Sequence, residues 1–507
     1  MIIRVISADP EEDLRVIADL MRLYFPGLGL GKDSDELYLN EEQKGQQQEK
    51  QQEIKEVLLQ VEKRDAPLEV KVTLHLAGQA YWQTEGLPEE TFIEEKKNRV
   101  RRLLRLALHK LLERVFRVDL SPWGILTGVR PTKIVQRFID EGLTKERSIL
   151  HLIRDYGISP ERASLLWQVA SFQHPFLPAQ QAAEKLVSLY IGIPFCPTRC
   201  YYCSFPSFSL KQWGHLLTDY LSGLDRELKT VGKLLTEKQV KVQTVYIGGG
   251  TPTILSEAQL ARLLETITDS FRFVENRELT VEGGRPDTLT GEKLRVLKDY
   301  AVTRLSINPQ TMQEETLVAI GRKHSVQETI AAYELAREIG IPIINMDLII
   351  GLPGEDCAVL AKTLTEVLKL GPENITLHAL AMKRAAYYRQ EKIKLPLPAE
   401  GQAMMDLAHN YLRGAGYFPY YLYRQRDIFA HGENVGYSVA DKACLYNMQM
   451  IAERQTILGL GVGSGSKLVH QADWTLENLY NPKDLVFYLE RLEEIIGKKA
   501  LLISNMT

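Results

Sequence analysis

The chain has 507 residues, of which 45% are apolar and 25% are charged, and its formal net charge is −3 at pH 7. This length predicts two or three domains, because a single hydrophobic core stops growing beyond about 250 to 300 residues. The charge balance gives no indication of nucleic-acid binding. No apolar run approaches the roughly 20 residues of a membrane span, and no signal peptide is recognisable, so we expect a cytoplasmic protein without a membrane partner.

Residues 1–184 are expected to form an N-terminal α/β accessory domain. Residues 68–76 alternate apolar and polar side chains as a half-buried strand does. Residues 41–53 are rich in Gln, Glu and Lys, so they are either disordered or a solvated helix. A basic helix is predicted over 94–115. Its leucines would face a core and its cations would face solvent, or the cations would dock an acidic electron donor.

From residue 185 onward, short apolar runs alternate with stretches of helical period, which is the pattern of parallel βα units. We predict a partial (β/α)6 barrel over 185–383 and a C-terminal cap domain over 384–507. In barrels of βα units the chemistry lies at the C-terminal ends of the strands. The six strands are predicted over 186–193, 242–247, 278–282, 303–307, 342–350 and 374–379.

Three cysteines, Cys196, Cys200 and Cys203, have the spacing C-x3-C-x2-C in the loop after the first barrel strand. Thiolates are the usual ligands of iron–sulfur clusters, and three of them on one loop suit a [4Fe–4S] cluster with one open iron position. A structural zinc site would need a fourth ligand, and the remaining cysteines, Cys357 and Cys444, lie far away in sequence. Disulfides are disfavoured by the short spacings.

A second motif, Gly-Gly-Gly-Thr-Pro-Thr, follows the second predicted strand and begins at Gly248. Glycines at a strand end let the main chain approach a ligand closely and offer unhindered N–H groups. A tight turn alone would explain these glycines. Beside a loop with three cysteines, however, they indicate a ligand site.

The cysteine loop and the glycine turn together resemble the radical S-adenosylmethionine (SAM) superfamily. Within it, residues 304–310, 321–324 and 345–354 resemble motifs of the oxygen-independent coproporphyrinogen III dehydrogenase family. The likeness extends over residues 185–470. The N-terminal block is similar to the long extension of the HemZ-like branch of that family, which is found in Gram-positive bacteria.

The resemblance implies a set of cofactor-binding residues. The cluster ligands, and with them the catalytic metal centre, would be Cys196, Cys200 and Cys203. The residues along a first SAM molecule would be Tyr190, Tyr202, Gly249, Gly250, Thr251 and Glu282. Glu282 is also the expected catalytic carboxylate, suited to accept hydrogen bonds from the ribose, although an exposed glutamate at a strand end is common. The residues matching contacts to a second SAM would be Gln310, Arg322, Asp347 and Ala381. Arg322 would bind a carboxylate group, or form a structural salt bridge.

The implied reaction is the oxygen-independent oxidative decarboxylation of coproporphyrinogen III to protoporphyrinogen IX in haem biosynthesis. A reduced cluster would cleave SAM to a 5′-deoxyadenosyl radical, which removes hydrogen from the β-carbon of a propionate. Loss of carbon dioxide and one electron would leave a vinyl group. The implied partners are a tetrapyrrole and an electron donor such as flavodoxin or ferredoxin, with the chain as a monomer. The candidates for binding the substrate carboxylates are Lys383, Arg384, Arg424 and Arg426.

Two departures from the family pattern keep other functions open. Position 205 is Phe, whereas the dehydrogenases carry a fourth cysteine there and the related haem chaperones carry Phe. The chaperones have a His-Asn-x-x-Tyr-Trp motif, but the nearest segment here, 444–450, contains neither His nor Trp. A haem-binding chaperone on the same scaffold, and a radical SAM enzyme with another substrate, are therefore retained as alternatives.

Overall fold

The computed structural model describes residues 2–25, 28–30, 36–39, 56–87, 96–116, 121–178, 185–203, 207–381, 396–425, 428–470 and 474–506. The chain divides into two compact units. Unit 1 comprises Met1–Val129 and Phe138–Trp167, and unit 2 comprises Arg130–Arg137 and Gln168–Thr507. The low-complexity segment 41–53 lies outside the described residues. No helix in the described ranges is long and apolar enough to cross a membrane.

Unit 1 is built on a six-stranded sheet in the order β2-β3-β1-β4-β5-β6. Its strands are β1 (Ile2–Ile6), β2 (Leu28–Leu30), β3 (Glu36–Leu39), β4 (Glu56–Asp65), β5 (Leu68–Leu76) and β6 (Gln79–Gly86). Strands β1 and β4 are parallel, and the other neighbours are antiparallel. The first five helices are α1 (Pro10–Tyr24), α2 (Lys96–Phe116), α3 (Thr132–Asp140), α4 (Lys145–Tyr156) and α5 (Pro160–Gln173). Helices α3 and α5 each cross the division between the units.

Helix α2 is the predicted basic helix, and its leucines are buried in the core of unit 1. Its cations form salt bridges within the same unit. Lys97 Nζ lies 3.0 Å from Glu12 Oε2, and Arg101 Nε lies 2.8 Å from Glu12 Oε1. Lys110 Nζ lies 2.8 Å from Glu85 Oε1. These contacts fit a helix with a core face and a solvated basic face, and the docking of an electron donor stays a prediction.

Unit 2 contains an eleven-stranded sheet whose centre is a run of seven parallel strands, six of which are the predicted barrel strands. Its strands up to residue 379 are β7 (Leu186–Ile193), β8 (Phe195–Cys196), β9 (Phe208–Ser209), β10 (Lys241–Gly249), β11 (Phe273–Glu282), β12 (Arg304–Ser306), β13 (Ile343–Ile350) and β14 (Asn374–Ala379). Strands β8 and β9 form a small separate ladder. The other six pair in parallel in the order β7-β10-β11-β12-β13-β14. This pairing confirms the predicted partial (β/α)6 barrel.

Seven helices lie between these strands in the described part of the chain. They are α6 (Leu210–Trp213), α7 (Leu217–Glu237), α8 (Glu257–Ser270), α9 (Gly291–Asp299), α10 (Glu314–Ala319), α11 (Val326–Ile339) and α12 (Cys357–Leu370). Ser325 and Glu328 form a capping box at the start of α11, and Gly340 ends it in the left-handed conformation. Asp356 caps α12, and Gly371 ends it in the same way.

The C-terminal residues extend both edges of the same sheet. They form β15 (Phe418–Tyr423), β16 (Asn434–Ser438), β17 (Thr456–Leu460), β18 (Gly465–His470) and β19 (Thr475–Tyr480), with helices α13 (Pro398–Gly414), α14 (Leu445–Ala452), α15 (Leu485–Glu490) and α16 (Leu492–Ser504). Strand β16 pairs antiparallel with β14, and β17 pairs parallel with β7. The predicted boundary at residue 384 thus falls inside one compact unit. The assignment of 384–507 as a cap domain stays a prediction.

Candidate active site

The three cysteines lie in the loop that follows β7 at the C-terminal end of the barrel. Cys196 ends β8, and the main chain turns back where Cys203 N donates to Cys200 O at 3.1 Å. Tyr201 N donates to Ile320 O at 3.1 Å, which ties the loop to the end of α10. All five cysteines of the chain are free. The cysteine loop therefore contains no disulfide bond.

All thirteen residues predicted as site residues line one cavity of about 270 Å³. They come from positions between 190 and 381, and the cavity brings together the ends of the barrel strands. The thirteen are Tyr190, Cys196, Cys200, Tyr202, Cys203, Gly249, Gly250, Thr251, Glu282, Gln310, Arg322, Asp347 and Ala381. The structure shows their proximity, and their individual roles remain predictions.

The three thiols line one cavity, as the ligands of a [4Fe–4S] cluster would. Among the described residues, no three His, Cys, Asp or Glu side chains are grouped as ligands of one ion. Each cysteine of a [4Fe–4S] cluster binds a different iron, so its ligands stand apart. Burial raises the pKa of the Cys196 thiol to about 11. A bound metal centre would remove that proton, because a coordinating thiol is deprotonated.

The main chain of the glycine turn after β10 contacts the main chain at the start of the cysteine loop. Gly250 N donates to Ile193 O at 2.9 Å, and Thr251 N donates to Phe195 O at 2.8 Å. A Cβ on Gly250 would lie 2.5 Å from Phe195 O. Gly249 has a φ of +105°, which side chains rarely tolerate. Glycine is therefore required at both positions.

Glu282 ends β11 at the cavity wall, where it accepts two hydrogen bonds. Tyr246 Oη donates to Oε1 at 2.7 Å, and Gly249 N donates to Oε2 at 3.1 Å. Burial raises the pKa of Glu282 to about 7; the Tyr246 hydrogen bond opposes this rise, and the charge of Asp347 adds to it. In its ionised form the carboxylate is suited to accept further hydrogen bonds from hydroxyl groups of a ligand.

Gln310 and Asp347 are joined through the main chain. Gln310 N donates to Asp347 O at 2.9 Å, and Gln310 has a φ of +69°. The Asp347 side chain accepts from Asn345 Nδ2 at 2.7 Å, and its Oδ2 lies 3.7 Å from His378 Nε2. Burial opposes ionisation of Asp347, but His378 and Asn345 together lower its pKa below the ordinary value. Ala381 lies at the same rim, where it pairs with a residue that precedes β16.

Arg322 connects the cysteine loop to the ends of the neighbouring strands. Its Nη2 donates to Tyr202 Oη at 3.0 Å, and its Nη1 donates to Gly284 O at 2.9 Å and to Asn308 O at 3.2 Å. The residue is 7% exposed, and its Nε has no hydrogen-bond partner among the described residues. These partners include no carboxylate, so the salt-bridge alternative is not what the structure shows. A buried guanidinium with spare donors suits an anionic ligand.

Several cavity residues were missed by the reasoning from sequence. They are Thr198, Arg199, Ser207, Gly284, Arg285, Asn308, Ile349, His378, Ala379, Leu380, Tyr423, Gln425 and Asn434. Arg285 and Asn308 follow the ends of predicted strands within a few positions, so the rule about strand ends could have found them. Tyr423 and Asn434 belong to β15 and β16, whose place beside the barrel depends on tertiary pairing.

The predicted substrate-binding cations are mostly outside the described residues. This holds for Lys383, Arg384 and Arg426. Phe205, where the sequence departs from the dehydrogenase pattern, also lies outside the described residues. Arg424 is described, and it is 3% exposed. Its Nε donates to Gly432 O at 3.5 Å, and it does not line the cavity. The structure thus gives Arg424 a place in the interior of unit 2.

Comparison with known proteins supports a family assignment. The family model described as the radical SAM superfamily matches residues 190–365. The oxygen-independent coproporphyrinogen-III oxidase-like protein HemZ of Bacillus subtilis is 44% identical over 380 residues, which cover 74% of this chain and 76% of HemZ. The heme chaperone HemW of the same organism is 36% identical over 218 residues, which cover 42% of this chain and 56% of HemW.

Two further comparisons concern proteins of Escherichia coli. Its oxygen-independent coproporphyrinogen III oxidase is 30% identical over 279 residues, or 53% of this chain and 60% of that protein. The solved structure of coproporphyrinogen III oxidase (HemN), a radical SAM enzyme, aligns with a TM-score of 0.51 at 26% identity and covers 64% of this chain and 72% of HemN.

The barrel, the cysteine loop and the glycine turn define a radical SAM protein. The chain belongs to the radical SAM superfamily and, within it, to the family of oxygen-independent coproporphyrinogen III oxidase-like proteins. This family implies a [4Fe–4S] cluster and SAM as cofactors.

Proposed function

We propose that this chain catalyses the oxygen-independent oxidative decarboxylation of two propionate groups of coproporphyrinogen III to vinyl groups, which gives protoporphyrinogen IX. One observation carries the proposal: three thiols, a glycine turn and the polar side chains of Glu282, Gln310, Arg322 and Asp347 converge in a single cavity at the strand ends. The substrate is suggested by the relatives named for coproporphyrinogen oxidation, HemZ and the Escherichia coli oxidase.

The residues of this cavity have distinct proposed tasks. Cys196, Cys200 and Cys203 would hold the cluster, and bound cluster and SAM would supply the one-electron and hydrogen-abstraction chemistry. The main chain at Gly250 would lie along SAM, because its glycine leaves no side chain in the way. Glu282 would accept hydrogen bonds from ribose hydroxyls while Tyr246 and Gly249 hold its orientation.

A second SAM molecule is part of the proposal, and Arg322 supports it. Its guanidinium is buried, its partners are two carbonyl oxygens and a phenol, and its Nε is unpaired among the described residues. A carboxylate group would satisfy that donor and balance the charge. Gln310, Asp347 and Ala381 line the same cavity. We also propose a flavodoxin or ferredoxin as the electron donor and a cytoplasmic, monomeric protein.

The test is an anaerobic assay of the reconstituted protein with SAM, a one-electron reductant and coproporphyrinogen III. We expect protoporphyrinogen IX together with 5′-deoxyadenosine and methionine. Cys203→Ala should lose both the cluster and the product. Cys357→Ala, a cysteine of α12 that does not line the cavity, is the matched control and should keep both. Formation of 5′-deoxyadenosine without a divinyl product would contradict the proposed substrate.

A haem-binding chaperone is the second candidate, because HemW proteins are also similar to this chain. The segment nearest to the chaperone motif is engaged in the interior of unit 2. Asn447 Nδ2 donates to Tyr420 Oη at 3.1 Å, and Cys444 is 1% exposed. We therefore expect no saturable change in the Soret band at stoichiometric haem. Saturable binding, with no divinyl product in the assay above, would favour the chaperone.

A further inference from the structure

A buried arginine outside the predicted site lies against the cysteine loop. Arg285 follows β11 and is 3% exposed. Its Nη1 lies 3.0 Å from Thr198 Oγ1 and 4.0 Å from Cys200 Sγ. Thr198 stands two positions before Cys200 in the same loop. One nitrogen of a permanently charged side chain thus faces both the loop and one of the proposed cluster ligands.

A carboxylate fixes the orientation of this guanidinium. Nε and Nη2 of Arg285 donate to Oδ1 and Oδ2 of Asp287, both at 3.0 Å. Such a two-point pair matches the planar geometry of both groups. His324 Nδ1 also lies 4.0 Å from Asp287 Oδ1, and the histidine side chain is fully buried. The arginine therefore has little freedom to turn away from Cys200.

The charges of Arg285 and Asp287 do not cancel at the Cys200 sulfur. The carboxylate binds the Nε and Nη2 edge of Arg285, whereas Nη1 is the nitrogen that faces Cys200. The nearer charge at the thiolate is therefore positive. Hydrogen bonds and positive charge at the ligand sulfurs favour the reduced, more negative state of an iron–sulfur cluster and raise its reduction potential.

We propose that Arg285 is a positioning residue that holds the Thr198–Cys200 part of the loop and raises the reduction potential of the cluster. This inference rests on the proposed cluster at the three cysteines. It assigns no contact with substrate to Arg285. The consequence is that the neighbouring strand end, and not only the loop, sets how readily the cluster accepts an electron.

The test is a redox titration of the reconstituted, SAM-free protein, followed by the electron paramagnetic resonance signal of the reduced cluster. Arg285→Gln removes the charge and keeps a hydrogen-bond donor. We expect the ratio of reduced to oxidised cluster at a fixed potential to fall about tenfold, which is about 59 mV for a one-electron couple. The matched control is Arg295→Gln on α9, whose side chain is 63% exposed and pairs with Glu292 at 3.5 Å. We expect no change there.

A second variant predicts a shift in the opposite direction. Asp287→Asn keeps an oxygen for the guanidinium but removes the negative charge, so the ratio of reduced to oxidised cluster should rise about threefold. This variant decides the question if Arg285→Gln binds no cluster. Potentials equal to that of the Arg295→Gln control would overturn the inference. If the unsubstituted protein itself binds no iron and sulfide, the proposed function fails; if it binds them and the potentials do not move, only this inference fails.

Discussion

The amide nitrogen of Gly249 lies 3.1 Å from Oε2 of Glu282, and this hydrogen bond joins the ends of two neighbouring barrel strands. The approach is close enough that a Cβ on Gly248 would lie 2.7 Å from the same carboxylate. The glycine turn therefore does more than leave room for a ligand. It also lets the main chain hold the carboxylate that faces the cavity.

Replacing Gly250 with alanine should destabilise unit 2. The new Cβ would lie 2.5 Å from Phe195 O and 2.8 Å from Ile193 O, which are main-chain atoms and cannot rotate away. Overpacking of this kind costs about 1 to 3 kcal/mol. Urea denaturation should show the loss. Gly291→Ala is the control, since its nearest neighbour is the flexible end of Arg295 at 3.7 Å, and equal losses in both variants would contradict the explanation.

Replacing Glu282 with glutamine should stabilise the protein increasingly as the pH rises. Burial raises the pKa of this carboxyl in the folded state to about 7, above the ordinary value of 4.5. Between these values the folded protein keeps a proton that the unfolded chain has released, so the unsubstituted protein loses stability as the pH rises through this window. The glutamine variant cannot titrate and avoids that loss.

The expected difference between the two proteins grows by about 2 kcal/mol from about pH 4.5 to pH 7, because each unit of pKa shift corresponds to about 1.4 kcal/mol and the residue is only half-buried. Denaturation of the cofactor-free proteins across this range measures it. A difference in the free energy of unfolding that does not depend on pH would show that Glu282 titrates at its ordinary value.

Removing the Tyr202 hydroxyl should weaken both the loop and SAM binding. In Tyr202→Phe, Arg322 Nη2 loses the oxygen to which it donates at 3.0 Å. A hydrogen bond to a charged group contributes about 1.5 to 3 kcal/mol. If half of this free energy is lost from SAM binding, the Kd for SAM should rise about three- to tenfold. Calorimetric titration of the reconstituted protein measures the Kd. Tyr411→Phe, at a position of α13 that is 40% exposed, should leave it unchanged.

Breaking the buried ion pair between α16 and α7 should destabilise unit 2 by about 3 to 5 kcal/mol, because it leaves an uncompensated buried charge. Lys499 Nζ lies 2.6 Å from Glu227 Oε1, and both side chains are almost completely buried. Glu227 also accepts from Gly461 N at 2.8 Å and from Tyr488 Oη at 2.7 Å. Lys499→Met should therefore lower the urea midpoint strongly.

The adjacent lysine provides the control for this prediction. Lys498 Nζ lies 2.6 Å from Glu494 Oε1, but its side chain is 58% exposed. Exposed pairs contribute about 0 to 1 kcal/mol, so Lys498→Met should change the midpoint little. A second comparison is Lys499→Met combined with Glu227→Gln, which should recover part of the loss. Equal shifts of the urea midpoint in Lys498→Met and Lys499→Met would contradict the explanation that burial makes the Lys499 pair important.

Some strand boundaries could not be predicted from the sequence. Strand β11 begins at Phe273, five residues before the predicted start at 278, because the polar residues between them interrupt the apolar run. Phe273 lies opposite Val242 of β10 and Glu278 lies opposite Thr244, so the register of this pair shifts between the two positions. Such a shift depends on contacts between strands and leaves no periodic signal.

The sequence by itself determined the barrel type, the cysteine loop and the glycine turn. Each of these depends on local spacing or on the period of apolar residues, which the chain carries without reference to its fold. The three cysteines were found from their spacing, whereas the other candidate residues were implied by the resemblance to the family.

Only the tertiary structure decided which charges meet. It placed Arg285 beside Cys200, and it gave Arg322 oxygen partners that are not carboxylates. It also brought Asn434 to the cavity, because β16 pairs with β14 and Val435 lies opposite Leu377. These relationships depend on distances between segments remote in sequence, so no local pattern specifies them.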